Sequence, residues 1–142
     1  MKKKDIKILL VDDEQDILEI VGYNLSQEGY QIVTASNGKE AIAKAKKEHP
    51  QLIIMDVMMP EMDGMEACEN IRKIPELQDT IITFLTARSE DYSQVAGFDA
   101  GADDYIAKPI KPKVLVSKVQ ALLRRLKGVE GVSSNTTLTV GN

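Results

Sequence analysis

At 142 residues, with 43% hydrophobic and 28% charged side chains, the chain has room for one domain with a proper core and not for two. A net charge of −4 and a pI near 5.1 argue against this segment being a nucleic-acid surface itself. No run approaches the ~18 apolar residues of a membrane span, and Lys2-Lys3-Lys4 leads into no signal-peptide core, so a cytoplasmic protein without membrane attachment is expected.

Along the chain, short apolar runs alternate with helical repeats. Ile6 to Val11 reads as a buried strand. Glu14 to Glu28 places Ile17, Leu18, Val21 and Leu25 on one helical face, with Gly29 as its C-terminal cap. Gln31 to Ala35 is a second strand, Ser36-Asn37-Gly38 a turn, and Lys39 to Glu48 an alanine-rich helix stopped by Pro50. Leu52 to Met55 is a third strand, and Met65 to Lys73 a helix ended by Pro75. Ile81 to Leu85 is a fourth strand, followed by a helix over about Glu90 to Ala100. Asp104 to Ala107 is a short fifth strand, and Pro112 to Leu126 a last helix with proline at its start, where a missing N–H costs nothing. Five strands alternating with five helices predict an α/β fold, a doubly wound parallel sheet covered on both faces. From Lys127 onward the composition turns to Gly, Ser, Thr and Asn, which reads as a linker outside the core.

A parallel sheet of this kind gathers ligands beyond the carboxyl ends of its strands. The polar residues there are Asp12 and Asp13 after the first strand and Asp56 after the third, while the fourth ends in Thr86 and the fifth at Lys108. If the first and third strands are neighbours, three carboxylates converge, and they repel unless a cation joins them. Zinc is not the candidate, because Cys68 is the only cysteine and His49 the only histidine. Oxygen ligands and a phosphoryl guest point to Mg2+. Asp56 can then attack phosphorus and form an acyl phosphate, with Mg2+ held by Asp13, Asp56 and a backbone carbonyl. Lys108 would pair with one phosphoryl oxygen and the Thr86 hydroxyl would donate to another, while the small Ala87 leaves room for entry. Each feature alone is commonplace, an Asp-Asp being usually a turn or helix cap. Together, at the ends of four of the five strands, they are a poor accident.

The segments LLVDDE, LIIMDVMMPEMDG, FLTA and GADDYIAKP resemble, in order and spacing, the receiver domain of two-component response regulators, over about Lys4 to Lys127. The resemblance implies a flavodoxin-like (βα)5 fold with strand order 2-1-3-4-5, a receiver domain over residues 1–127, and phosphorylation of Asp56 by a histidine kinase. It also implies direct Mg2+ ligation by Asp13, Asp56 and the Met58 carbonyl, with Asp12 acting through water. Thr86 and Tyr105 become a switch pair, Lys108 a phosphoryl contact, and Lys108–Pro109 a cis peptide. The stretch GADDYIAKPIKPKVLVSKVQALLRRL is similar to the OmpR/PhoB subfamily, and TLTVGN to the first strand of that subfamily's winged-helix domain. Residues 128–142 are therefore expected to be a linker and the start of a truncated DNA-binding domain, which alone would contact DNA.

The subfamily further implies a homodimer on phosphorylation, through the helix before the fifth strand, that strand and the last helix. Asp99, Asp103 and Asp104 supply acids, and Lys118, Arg124 and Arg125 bases; Asp104 to Lys118 is the pair expected to survive. Gln94, Val114 and Gln120 stand where the subfamily's pattern has charges. The first helix carries more apolar residues than a core face needs, which marks Ile17 and Ile20 as a docking face for a kinase helix bundle. Two other functions fit less well. A phosphatase of the haloacid dehalogenase type wants a second acid two residues after its nucleophile, where Met58 stands. A stand-alone receiver acting only by protein contact leaves the tail unexplained. The expected protein is thus a signalling switch and not an enzyme in the ordinary sense, though it can assist its own phosphorylation and dephosphorylation.

Overall fold

A computed structural model describes residues 2–86 and 100–126. The helix expected over about Glu90–Ala100 and the tail expected over 128–142 lie outside the described residues, apart from Ala100, which sits in a turn. The described elements are β1 (Lys7–Val11), α1 (Gln15–Gln27), β2 (Gln31–Ala35), α2 (Gly38–Glu48), β3 (Leu52–Asp56), α3 (Gly64–Arg72), β4 (Ile81–Thr86), β5 (Asp104–Ala107) and α4 (Pro112–Leu123). Short 3-10 turns cover Lys3–Asp5 and Pro75–Leu77, neither of them marked by the apolar pattern of the sequence.

All strand pairs are parallel, in the order β2-β1-β3-β4-β5. Alternate strand residues face opposite ways and make two cores. Ile8, Leu10, Leu52, Ile54 and Leu85 pack on α1 and α4 through Val21, Leu25, Leu115 and Val119. Leu9, Val11, Ile53, Met55 and Phe84 pack on α2 and α3 through Ala41, Ala45, Ala67 and Ile71. The small alanines let α2 come close to the sheet, which is why an alanine-rich segment serves there.

Local chemistry sets the helix ends. After α1, the Gly29 amide bonds to Ser26 O and the Tyr30 amide to Leu25 O, with Gly29 at φ 105°. That is a Schellman ending, and it requires the glycine. Asn37 caps α2 by accepting from the Glu40 amide, while the Glu40 carboxylate reaches back to the Ser36 amide. Asp63 caps α3 through the Glu66 amide.

Candidate phosphoacceptor site

The register places the site. Val11 pairs with Met55, so Asp12, one step beyond β1, emerges beside Asp56, the last residue of β3. Asp12, Asp13 and Asp56 each present a carboxylate oxygen within 4.8 Å of the other two. Asp12 and Asp56 are buried; Asp13 is exposed at the mouth. Asp12 accepts a 2.9 Å hydrogen bond from the Glu14 amide through Oδ1, and Asp56 a 3.3 Å bond from the Met58 amide. These bonds hold both carboxylates over the carboxyl end of the sheet, at the switch point where connections diverge.

Lys108 enters from the end of β5, its amide donating to Thr86 O at 2.8 Å, and the peptide that follows, Lys108–Pro109, is cis. Its Nζ lies 3.3 Å from Asp12 Oδ2, 3.7 Å from Asp56 Oδ1 and 3.5 Å from Glu14 Oε1. Asp12 Oδ2 is fully buried, and among the described residues its contact is the ion pair with the Lys108 ammonium.

Burial pushes Asp56 up to about 6, helped by the charge of Asp12 and opposed by Lys108. Burial raises Asp12 as well, against the Glu14 amide and Lys108. For Lys108 burial acts downward, yet Asp56, Asp12 and Glu14 outweigh it and raise the ammonium's pKa. One lysine does not neutralise three acids. The surplus negative charge and the buried Asp12 oxygen, which has room for a partner besides that ammonium, fit a hard divalent cation.

Thr86 is buried at the end of β4. Phe84, two residues before it and on its face, pairs with Tyr105, which packs half-buried on the same core. Thr86 and Tyr105 thus share one side of the sheet. Ala87 and Asp99 lie outside the described residues. Met58 is 63% exposed.

The chain matches the model of the response regulator receiver domain over residues 8–120. It is a receiver domain of the two-component response regulators. It is 46% identical over 119 residues to the alkaline phosphatase synthesis transcriptional regulatory protein PhoP of Bacillus subtilis, covering 84% of this chain and 49% of that protein. It is also 46% identical over 132 residues to the transcriptional regulatory protein ResD of the same organism, covering 93% and 54%. The receiver thus spans about half the length of these curated relatives. Among solved structures, the chemotaxis response regulator CheY4 of Vibrio cholerae superposes with TM-score 0.80 at 36% identity, over 83% of this chain and 98% of that one. DrrB, a Thermotoga maritima OmpR/PhoB homolog, gives 0.75 at 35%, over 84% and 53%. These relatives support the OmpR/PhoB-like reading of the sequence, and the superpositions the flavodoxin-like fold.

Two surfaces differ in detail from expectation. Ile17 is half-buried against the core, whereas Ile20 is 46% exposed. Among the described residues assigned to a dimer face, Asp103, Asp104, Lys118 and Arg125 make pairs inside the chain. Lys118 Nζ lies 3.5 Å from Asp104 and donates to Tyr105 O, and Asp103 accepts from Arg72 and from the Ile82 amide, each at 2.9 Å, with Arg125 at 3.6 Å. Arg72, which the sequence reading passed over, also donates to the carbonyls of Gly101 and Thr80. No one-dimensional pattern marks it, since most of its partners are backbone oxygens. Glu14 was also missed: the sequence treats it as the start of a helix, and only the fold brings it to Lys108.

Proposed function

We propose that Asp56 accepts a phosphoryl group from a sensor histidine kinase, in a receiver that governs a DNA-binding domain of the full-length protein. The observation that carries this reading is the convergence of the Asp12, Asp13 and Asp56 carboxylates against the Lys108 ammonium. An Asp56 oxygen attacks phosphorus; the bond from phosphorus to the donor nitrogen or oxygen breaks, and the donor leaves with its electron pair. Lys108 pairs with one phosphoryl oxygen and the Thr86 hydroxyl donates to another. Asp13, Asp56 and the Met58 carbonyl would hold Mg2+, with Asp12 acting through water. When bound, the cation supplies positive charge against the phosphoryl oxygens. The same groups serve self-phosphorylation from a small donor and later hydrolysis by water.

In this reading Tyr105 turns toward the core once Thr86 has moved to the phosphoryl group. The change is passed to a face where Tyr105, Lys108, Val114, Leu115 and Lys118 line a groove of about 350 Å³. A phosphorylation-dependent two-fold dimer forms there, with Asp104 and Lys118 exchanging their internal pair for one across the interface. Ile20, with Ile17 partly beneath it, receives the kinase. Names of the curated relatives as transcriptional regulators support placing DNA contact in an effector domain outside the receiver. Residues 128–142 fit the linker and first strand of that domain.

Acetyl phosphate with Mg2+ tests the assignment. Intact mass should show one phosphoryl group on the wild-type protein and none on Asp56→Asn; equal labelling of both contradicts it.

A further inference from the structure

Glu14 occupies the N-cap place of α1, but its side chain makes no capping bond. Its amide is taken by Asp12 Oδ1, and its carboxylate, 64% exposed, lies 3.5 Å from the Lys108 ammonium. A side chain at a helix start would ordinarily gain by satisfying a free amide of the first turn. Here it reaches across to the strand end of β5 instead, a sequence separation of 94 residues. Of the three acids around Lys108, Asp12 and Asp56 belong to the buried cluster, and Glu14 alone stands on the solvent side.

From this geometry we infer that Glu14 is a positioning residue that parks Lys108 in the resting receiver and competes with an incoming phosphoryl group for its ammonium. The inference rests on the phosphoacceptor reading above. A cation among the three aspartates would weaken the hold of Asp12 and Asp56 on Lys108, leaving Glu14 as its remaining anionic partner. A phosphoryl oxygen must then draw the ammonium away from Glu14, or share it. The resting site is therefore biased against small anionic phosphodonors, and a donor brought in by a docked partner has binding energy available to overcome that bias. Because Glu14 is exposed, salt should screen the effect.

The test compares labelling by acetyl phosphate and Mg2+ in wild type, Glu14→Gln and the control Asp16→Asn, which removes an exposed acid two residues away. At low ionic strength Glu14→Gln should be labelled about two- to fivefold faster than wild type, the range an exposed ion pair commands. The gap should close as salt is raised, Asp16→Asn should stay near wild type, and in a Lys108→Gln background Glu14→Gln should add nothing. Equal rates for wild type and Glu14→Gln, an equal gain from Asp16→Asn, or a gain that persists without Lys108 overturns the inference while leaving Asp56 as acceptor. Labelling of no protein overturns the phosphoacceptor reading and this inference with it. Amide NMR of the metal-free protein reads the pair itself: Glu14→Gln should shift the Lys108 and Ala107 resonances, and shifts confined to α1 contradict the contact.

Discussion

Gly64 stands against Asp56 so closely that a β-carbon at position 64 would collide with the Asp56 carbonyl oxygen and crowd the Val57 backbone. The Gly64 amide donates to Val57 O at 2.8 Å, so the loop leaving β3 closes back on the strand end that presents the acceptor carboxylate. Only a residue without a side chain permits that closure.

Gly64→Ala should therefore be costly although alanine favours helices. The clash is with backbone, which cannot swing aside, so a loss of about 1–3 kcal/mol is expected, typical of overpacking. Urea unfolding measures it. The variant should also bind Mg2+ more weakly, because relieving the clash moves Asp56 and Met58; unchanged stability and Mg2+ affinity would contradict the role given to this contact.

Thr83 makes the opposite case. It is fully buried in β4 and its hydroxyl has no hydrogen-bond partner among the described residues. Valine keeps the branched shape and removes the orphaned group, so Thr83→Val should gain about 1 kcal/mol. The urea midpoint should rise with the slope unchanged. A lower midpoint would mean that the hydroxyl is satisfied in solution.

Cys68 is fully buried, its thiol donates to Ala100 O at 3.3 Å, and burial pushes its pKa up to about 11. Below that pH the group is overwhelmingly the neutral thiol, which is a poor nucleophile. A disulfide reagent at pH 8 should react slowly with the native protein and quickly in urea. The native rate should climb with pH toward 11; a fast native reaction that levels off near pH 8.5 would refute the burial.

Much of this was legible in the sequence, for physical reasons that differ by element. The bounds of β2 and β5 agree with the pattern because turn residues flank each one, and the strand ends that carry Asp12, Thr86 and Lys108 follow from it directly. Asp56 proves to be the last residue of β3 and not the first beyond it, since a buried carboxylate is tolerated in a strand when the Met58 amide and the Lys108 ammonium partner it. What the sequence hides is chemistry whose partners are distant or are backbone. Asp103 reads as a surface acid for a second subunit, and only the fold shows Arg72 and the Ile82 amide bound to it.

The dimer face can be tested on the same logic. Lys118 is shared between Asp104 at 3.5 Å and the Tyr105 ring, 5.7 Å from its centroid. If it changes partner on activation, beryllofluoride with Mg2+ should produce a dimer in sedimentation. Lys118→Glu should weaken that dimer several-fold while leaving the monomer folded, since exposed pairs contribute only ~0–1 kcal/mol each. Persistence of a wild-type monomer at high micromolar concentration, or indifference of the dimer to the substitution, would count against this interface.

The acceptor itself is best located chemically. After acetyl phosphate and Mg2+, borohydride reduces an aspartyl phosphate to homoserine, and peptide mass mapping reads the position. Homoserine should appear at residue 56 and at neither Asp12 nor Asp13, and chelating Mg2+ beforehand should abolish it. Modification at Asp12 or Asp13 in place of Asp56, or undiminished modification without Mg2+, would contradict the site as assigned.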